Sequence, residues 1–270
     1  MFYGIIGEQL YSMENYSNYV YQGSNTPLNE QSCIDILTEG MDKDEGFGTT
    51  LRPIYVILLY CDSRFDHVME KFVKNQQYWH AAISFGPALS TCYSFNYGEA
   101  DANKFKGGLS FESIKFYKEE HPTGTMQVGV IFVTPEKYKK VKEALSFYIH
   151  NKEKTKYSFI NLLYSWLGKP TKNGLKLNLV CSTFVDTLLK HANININSKQ
   201  TNLVKPDDLK YTNDKSYFKV YEGKIKDYKE DPVIKKSEEL GNRVRNDFFR
   251  HEKDEKVEDI TDKKKGKDKK

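Results

Sequence analysis

One run of residues limits what this chain can fold into more than any other: Ile54-Tyr55-Val56-Ile57-Leu58-Leu59-Tyr60, aliphatic or aromatic at every position. A surface helix shows polar residues at a period of 3.6, and a half-exposed strand shows them at every second position. A short run with neither period, rich in β-branched and aromatic side chains, reads as a strand covered on both faces. Arg52-Pro53 punctuates the chain just before it, so a folded domain is expected to begin near residue 50. The run is far shorter than the roughly 18–20 apolar residues that cross a bilayer, and no longer one occurs, so no membrane-spanning helix is expected.

Around that strand the chain divides into three. Residues 1–50 are rich in Asn, Ser, Gly, Tyr and acidic groups and read as an N-terminal arm. Within 51–213, Phe65, Val68, Met69, Phe72 and Val73 form the stripe of an amphipathic helix over 64–74, with His67 on its solvent side. Two strands, 79–85 and 90–95, flank the Gly86-Pro87 turn, and further strands are expected at 109–116 and 126–133. Thr134-Pro135-Glu136 places a capping residue, a first-turn proline and an acid at the start of a helix over about 135–151. Shorter helices follow at 158–167 and 181–192, then a single turn at Pro206-Asp207-Asp208-Leu209. Residues 214–270 form a charged extension whose end, from about 251, cannot bury enough surface to offset its ordering entropy.

The net charge of +4 invites a nucleic-acid reading, but its distribution counts against one. Residues 263–270 hold six lysines and one aspartate, which leaves the preceding 262 residues at −1. Attraction to polyanions is therefore expected only through the lysine-rich tail. The opening MFYGIIGEQLYSMENYSNY has no basic leader, sufficient apolar run or small-residue cleavage site, so no signal peptide is read there. Cys33, Cys61, Cys92 and Cys181 are widely spaced with no CxxC pair, which argues against zinc and against a disulfide framework. No carboxylate or histidine cluster has metal-ligand spacing, and Gly107-Gly108 lacks a phosphate-loop signature, so no cofactor or metal is expected.

The chemistry lies in a pair. Cys181 opens an amphipathic helix after Leu177-Asn178-Leu179-Val180, where the helix N-terminus favours a thiolate. His80 stands at the start of a half-buried strand, a rigid mount for the imidazole that would take the thiol proton. By itself each has a plainer reading, a small buried hydrophobe and a packed core histidine. Cys61 and Cys92 end and interrupt apolar strands and read as core; His121, His150 and His191 sit in a loop or at helix ends.

From Ile54 to about Tyr211 the ordered set WHAAISF, CYSFNYG, LVCSTFVDTLLKHANI and VKPDDLK resembles the circularly permuted papain-like hydrolases, relatives of NlpC-type peptidases. In permuted members the His strand precedes the Cys helix, the order of His80 and Cys181 here. The resemblance implies an α+β, permuted papain-like core: a small antiparallel sheet packed against the Cys helix, with polar extensions at both ends. It implies an amidase or peptidase-like hydrolase in which Cys181 attacks a carbonyl carbon and His80 moves the proton. A peptidoglycan peptide is the favoured substrate class, among peptide or acyl substrates generally. The family's third polar residue, which holds the imidazole tautomer, is expected on the strand after His80. Thr91, Tyr93, Ser94 and Asn96 are the candidates there, with Ser94 preferred. The resemblance also implies a bacterial cytoplasm or a phage virion as the setting. A second reading keeps the fold without the chemistry: a structural or interaction protein of a phage particle, binding protein partners through its arm or C-terminal extension.

Overall fold

A computed structural model of the chain describes residues 51–62, 66–67, 70–71, 73–96, 100–101, 104–105, 107–158, 162, 177–211 and 216–246. The N-terminal arm, residues 64, 65, 68, 69 and 72 of the helix expected at 64–74, most of the helix expected at 158–167, and the tail expected from about 251 lie outside these residues.

The apolar run becomes β1 (Arg52–Tyr60), with residues 54–59 all buried. It is followed by β2 (His80–Ser84), β3 (Cys92–Asn96), β4 (Gly108–Glu112), helix α1 (Ile114–Glu120), β5 (Thr125–Val133) and helix α2 (Pro135–His150). Helix α3 (Cys181–His191), strand β6 (Tyr217–Lys224) and a fourth helix, α4, over 230–246 complete the fold. These six strands form one sheet in the order β6-β5-β1-β2-β3-β4, antiparallel at every pairing, beside two short two-stranded ladders. The protein is thus of mixed α+β class, with helices packed on an antiparallel sheet. Among the described residues no helix is long and apolar enough to cross a membrane.

β1 has no polar face because both of its faces are covered. Ile54, Val56 and Leu58 pack with Val141 and Leu145 of α2 and with Phe184, Val185 and Leu188 of α3. Tyr55, Ile57 and Leu59 point the other way, to Phe116 and Tyr117 of α1 and Val233 of α4. Complete burial of such a side chain is worth about 1.5–3 kcal/mol, so this strand contributes heavily to stability.

Two boundaries differ from the sequence expectation. The strand expected at 109–116 stops at Glu112, because the Ser113 hydroxyl accepts a hydrogen bond from the Phe116 N–H at 3.2 Å and caps α1. The sheet also does not end near 213. β6 pairs with β5, and Tyr217, fully buried, lays its ring over Gly129, where a Cβ would come within 2.3 Å of the ring. β6 escapes a sequence reading because it is an edge strand whose Lys219 and Glu222 face outward and pair with each other. The register across the sheet sets Leu59 opposite His80 and Ser94 opposite Ser110, and the site is built on those positions.

Candidate active site

His80 is the first residue of β2, and the Trp79 N–H just before it donates to the Leu59 carbonyl at 2.8 Å, so the ladder with β1 holds its backbone. Its side chain retains 15% exposure. Cys181 is the first residue of α3. The chain reaches it through Asn178–Leu179, which pairs in parallel with Lys156–Tyr157, and through Val180, which is extended at φ −113 and ψ 168. Valine at this cap has no side-chain acceptor; Thr183 instead bonds the Val180 N–H through its hydroxyl at 3.0 Å. The first-turn amides of α3 therefore receive no side-chain cap. The Cys181 sulfur lies 3.9 Å from the carbonyl oxygen of Trp79, the residue before His80, and is near enough to favour the charged form of the imidazole.

The ring's other partner is a carboxylate. Glu112, the last residue of β4 and wholly buried, places Oε2 2.8 Å from His80 Nε2. That carboxylate gathers four further donors. Ser94 Oγ donates to Oε1 at 2.5 Å, Ser110 Oγ at 3.0 Å and Asn96 Nδ2 at 3.3 Å, while the Tyr117 hydroxyl of α1 donates to Oε2. A buried charge persists only when paired and hydrogen-bonded, and this one is both. Burial by itself would push the Glu112 carboxyl up. The His80 charge and the donors from His80, Ser94 and Tyr117 outweigh it and hold the group at about 2. Burial likewise opposes charge on His80, yet Glu112 and Cys181 carry the imidazole well above its ordinary value. Both shifts favour one arrangement of charge, imidazolium beside carboxylate, so that a proton passed to the ring from Cys181 would be held there.

Sequence reasoning placed Cys181 and His80 together, and the fold brings them together. Ser94 is at the site but does not hold the ring: the orienting position is filled by Glu112, and Ser94 supports Glu112. The carboxylate comes from β4, one strand further than expected, because β3 lies between β2 and β4 and its short polar side chains leave room for Glu112 to reach across. Strand alternation, open in the sequence, resolves with Ser94 and Asn96 toward Glu112 and Tyr93 on the other face, in the cluster that holds Phe184 and Cys181. The signal for Glu112 was the alternation Leu109, Ser110, Phe111, Glu112, which looks the same whether its polar face meets water or buried partners.

A second histidine stands close by. His121, at the C-terminal cap of α1, sets its ring edge-on to Phe116. Burial first, and then the His80 charge, lower it from 6.5 to about 4. His121 is therefore neutral in the folded state over a range where the unfolded chain would protonate it. Stability should fall as pH drops from 6.5 to 4. Denaturant midpoints for His121→Gln over that range are expected to fall less steeply than wild type; parallel curves would mean that His121 carries none of the decline.

The remaining candidates occupy plainer places. Cys92 is buried in the core, Cys61 is partly buried just past β1, and both thiols are pushed up, first by burial. Cys61, Cys92 and Cys181 are all unbridged. His67 is exposed and pairs with Asp62 and Glu70. His150 and His191 close α2 and α3. Comparison with protein-family models, with curated proteins and with solved structures returned no match.

Thiol, imidazole and carboxylate thus stand in series. The sulfur is a potential nucleophile, the ring can hold and return its proton, and the carboxylate fixes the ring while stabilising its charged form.

Proposed function

We propose that this chain is a cysteine-dependent hydrolase of the amidase or peptidase kind, built on a permuted papain-like core. The observation that carries the reading is the placement of Cys181 beside a His80 ring that Glu112 holds by a 2.8 Å hydrogen bond, with the imidazole before the nucleophile in the chain. The thiol proton passes to His80. The sulfur attacks the carbonyl carbon of an amide or ester, forming a C–S bond and a tetrahedral oxyanion. The uncapped amides at the start of α3 are suited to stabilise that oxyanion. The carbon–nitrogen or carbon–oxygen bond breaks as His80 gives its proton to the leaving group. Water, deprotonated by His80, then attacks the thioester, releases the acid and restores the thiol. A peptidoglycan peptide remains the favoured substrate class.

Burial favours the second reading, a non-catalytic protein with the same core, because Cys181 is only 2% exposed. One experiment separates them. The purified chain is mixed with p-nitrophenyl acetate or with peptidoglycan-derived peptides, quenched early and read by intact mass and peptide mapping. A hydrolase should carry one acyl group on Cys181 and release product; Cys181→Ala should do neither. Equal turnover by Cys181→Ala, or no adduct with any substrate, would leave the non-catalytic reading standing.

A further inference from the structure

Two parts of the site come from segments about 100 residues apart, and one short turn touches both. Helix α3 is tied to it at Ser182, the neighbour of the nucleophile, whose hydroxyl donates to the Val204 carbonyl at 2.6 Å. The segment entering β2 is tied to it by Asp207, whose carboxylate accepts the Gln77 N–H on Oδ2 at 2.9 Å and the Tyr78 N–H on Oδ1 at 2.8 Å. One residue, Trp79, separates Tyr78 from His80.

The turn between these contacts is itself stiff. Pro206 opens the single 3-10 turn Pro206–Leu209, and Asp208 accepts the Lys205 N–H at 2.9 Å, so Asp208 serves its own turn while Asp207 reaches out. At the far end the Tyr217 hydroxyl donates to the Leu209 carbonyl at 2.7 Å, anchoring the turn to a ring wedged on Gly129 of β5. Lys210 Nζ sits 2.8 Å from Asp207 Oδ2, 3.0 Å from Gln77 Oε1 and 5.1 Å from the centre of the buried Tyr78 ring. A charged acceptor on two consecutive amides is a stronger and more directional tie than either bond alone.

We infer that the 204–209 turn is a clamp that sets the spacing of Cys181 and His80, with Asp207 its positioning residue. Asp207 touches neither reacting group. It fixes the backbone that leads into His80 relative to the backbone that carries Cys181, and the Trp79 carbonyl 3.9 Å from the sulfur lies between the two ties. This rests on the hydrolase reading above. Displacement by about 1 Å at such a site costs on the order of 100-fold in rate.

The test is alkylation of the full chain by iodoacetamide from pH 5 to 9, read at Cys181 by peptide mapping, beside NMR titration of the His80 ring. Asp207→Ala should lower the pH 6 rate about 100-fold while leaving the pH 9 rate near wild type, and should shift the His80 titration. Asp207→Asn, which keeps one acceptor and folds more safely, should lie between. Lys210→Met removes the ion pair but neither amide bond and should match wild type. A merely structural Asp207 would lower the melting temperature and change labelling alike at every pH. A folded Asp207→Ala with wild-type pH 6 labelling and wild-type His80 titration overturns the clamp. If His80→Ala labels like wild type at pH 6, the hydrolase reading falls instead; the clamp is then decided by the His80 titration in Asp207→Ala.

Discussion

At pH 6, iodoacetamide is expected to alkylate Cys181 in the wild-type chain at least ~100-fold faster than in His80→Ala, the scale on which a positioned proton acceptor contributes. A free thiol is almost wholly protonated at that pH and reacts slowly, so fast labelling needs a neighbour that takes the proton. His80 is that neighbour by geometry, and Glu112 and Cys181 favour its protonated form. The chain carries its own control. Burial pushes the Cys61 and Cys92 thiols up, so peptide mapping should find them nearly unmodified at pH 6 in both proteins. Equal rates at Cys181 with and without His80 would mean a merely accessible sulfur.

The second large effect belongs to Glu112. Glu112→Gln is expected to destabilise the fold by about 3–5 kcal/mol, the usual result of removing one member of a buried ion pair. The mechanism is specific here. Four donors besides His80 point at the carboxylate, and an amide offers them one oxygen in place of two while aiming its own NH2 at groups that already donate. The pH dependence follows from the signs. Glu112 is lowered from 4.5 to about 2, so its share is full above 4.5 and is lost as pH falls from there. His80 is raised above 6.5, so its share is full below 6.5 and is lost as pH climbs toward its folded value. The pair therefore contributes most between pH 4.5 and 6.5. Thermal melts from pH 4 to 9 should show a wild-type decline above pH 6.5 that flattens in Glu112→Gln. An equally steep decline in the variant would assign that limb to other groups.

Both predictions turn on residues of different legibility. His80 and Cys181 were readable because their positions are local features: a strand start beside an apolar partner, and a helix start after an apolar step. Glu112 was not, and neither was Tyr117. Their role depends on β4 lying beside β3 and on α1 folding back over that face, which is a fact about sheet order. Ser94 shows the boundary between the two. Its neighbourhood is legible in the sequence but its partner is not: local pattern points it at the imidazole, and the fold gives it to the carboxylate.

The same division runs through the fold. β1 announced itself because complete burial removes polar residues from every position, a property written into composition. α2 did so because a capping threonine, a proline and a 3.6-residue stripe are all short-range signals. β6 did not, because an edge strand keeps one polar side and resembles a solvated segment, and its membership in the sheet rests on Tyr217 finding Gly129 across β5. Local chemistry thus singled out Cys181, His80 and the central strand. The Glu112 partner of His80, the far edge of the sheet and the Asp207 tie across 129 residues came from folding, because hydrogen bonds between distant segments leave no periodic trace in the chain.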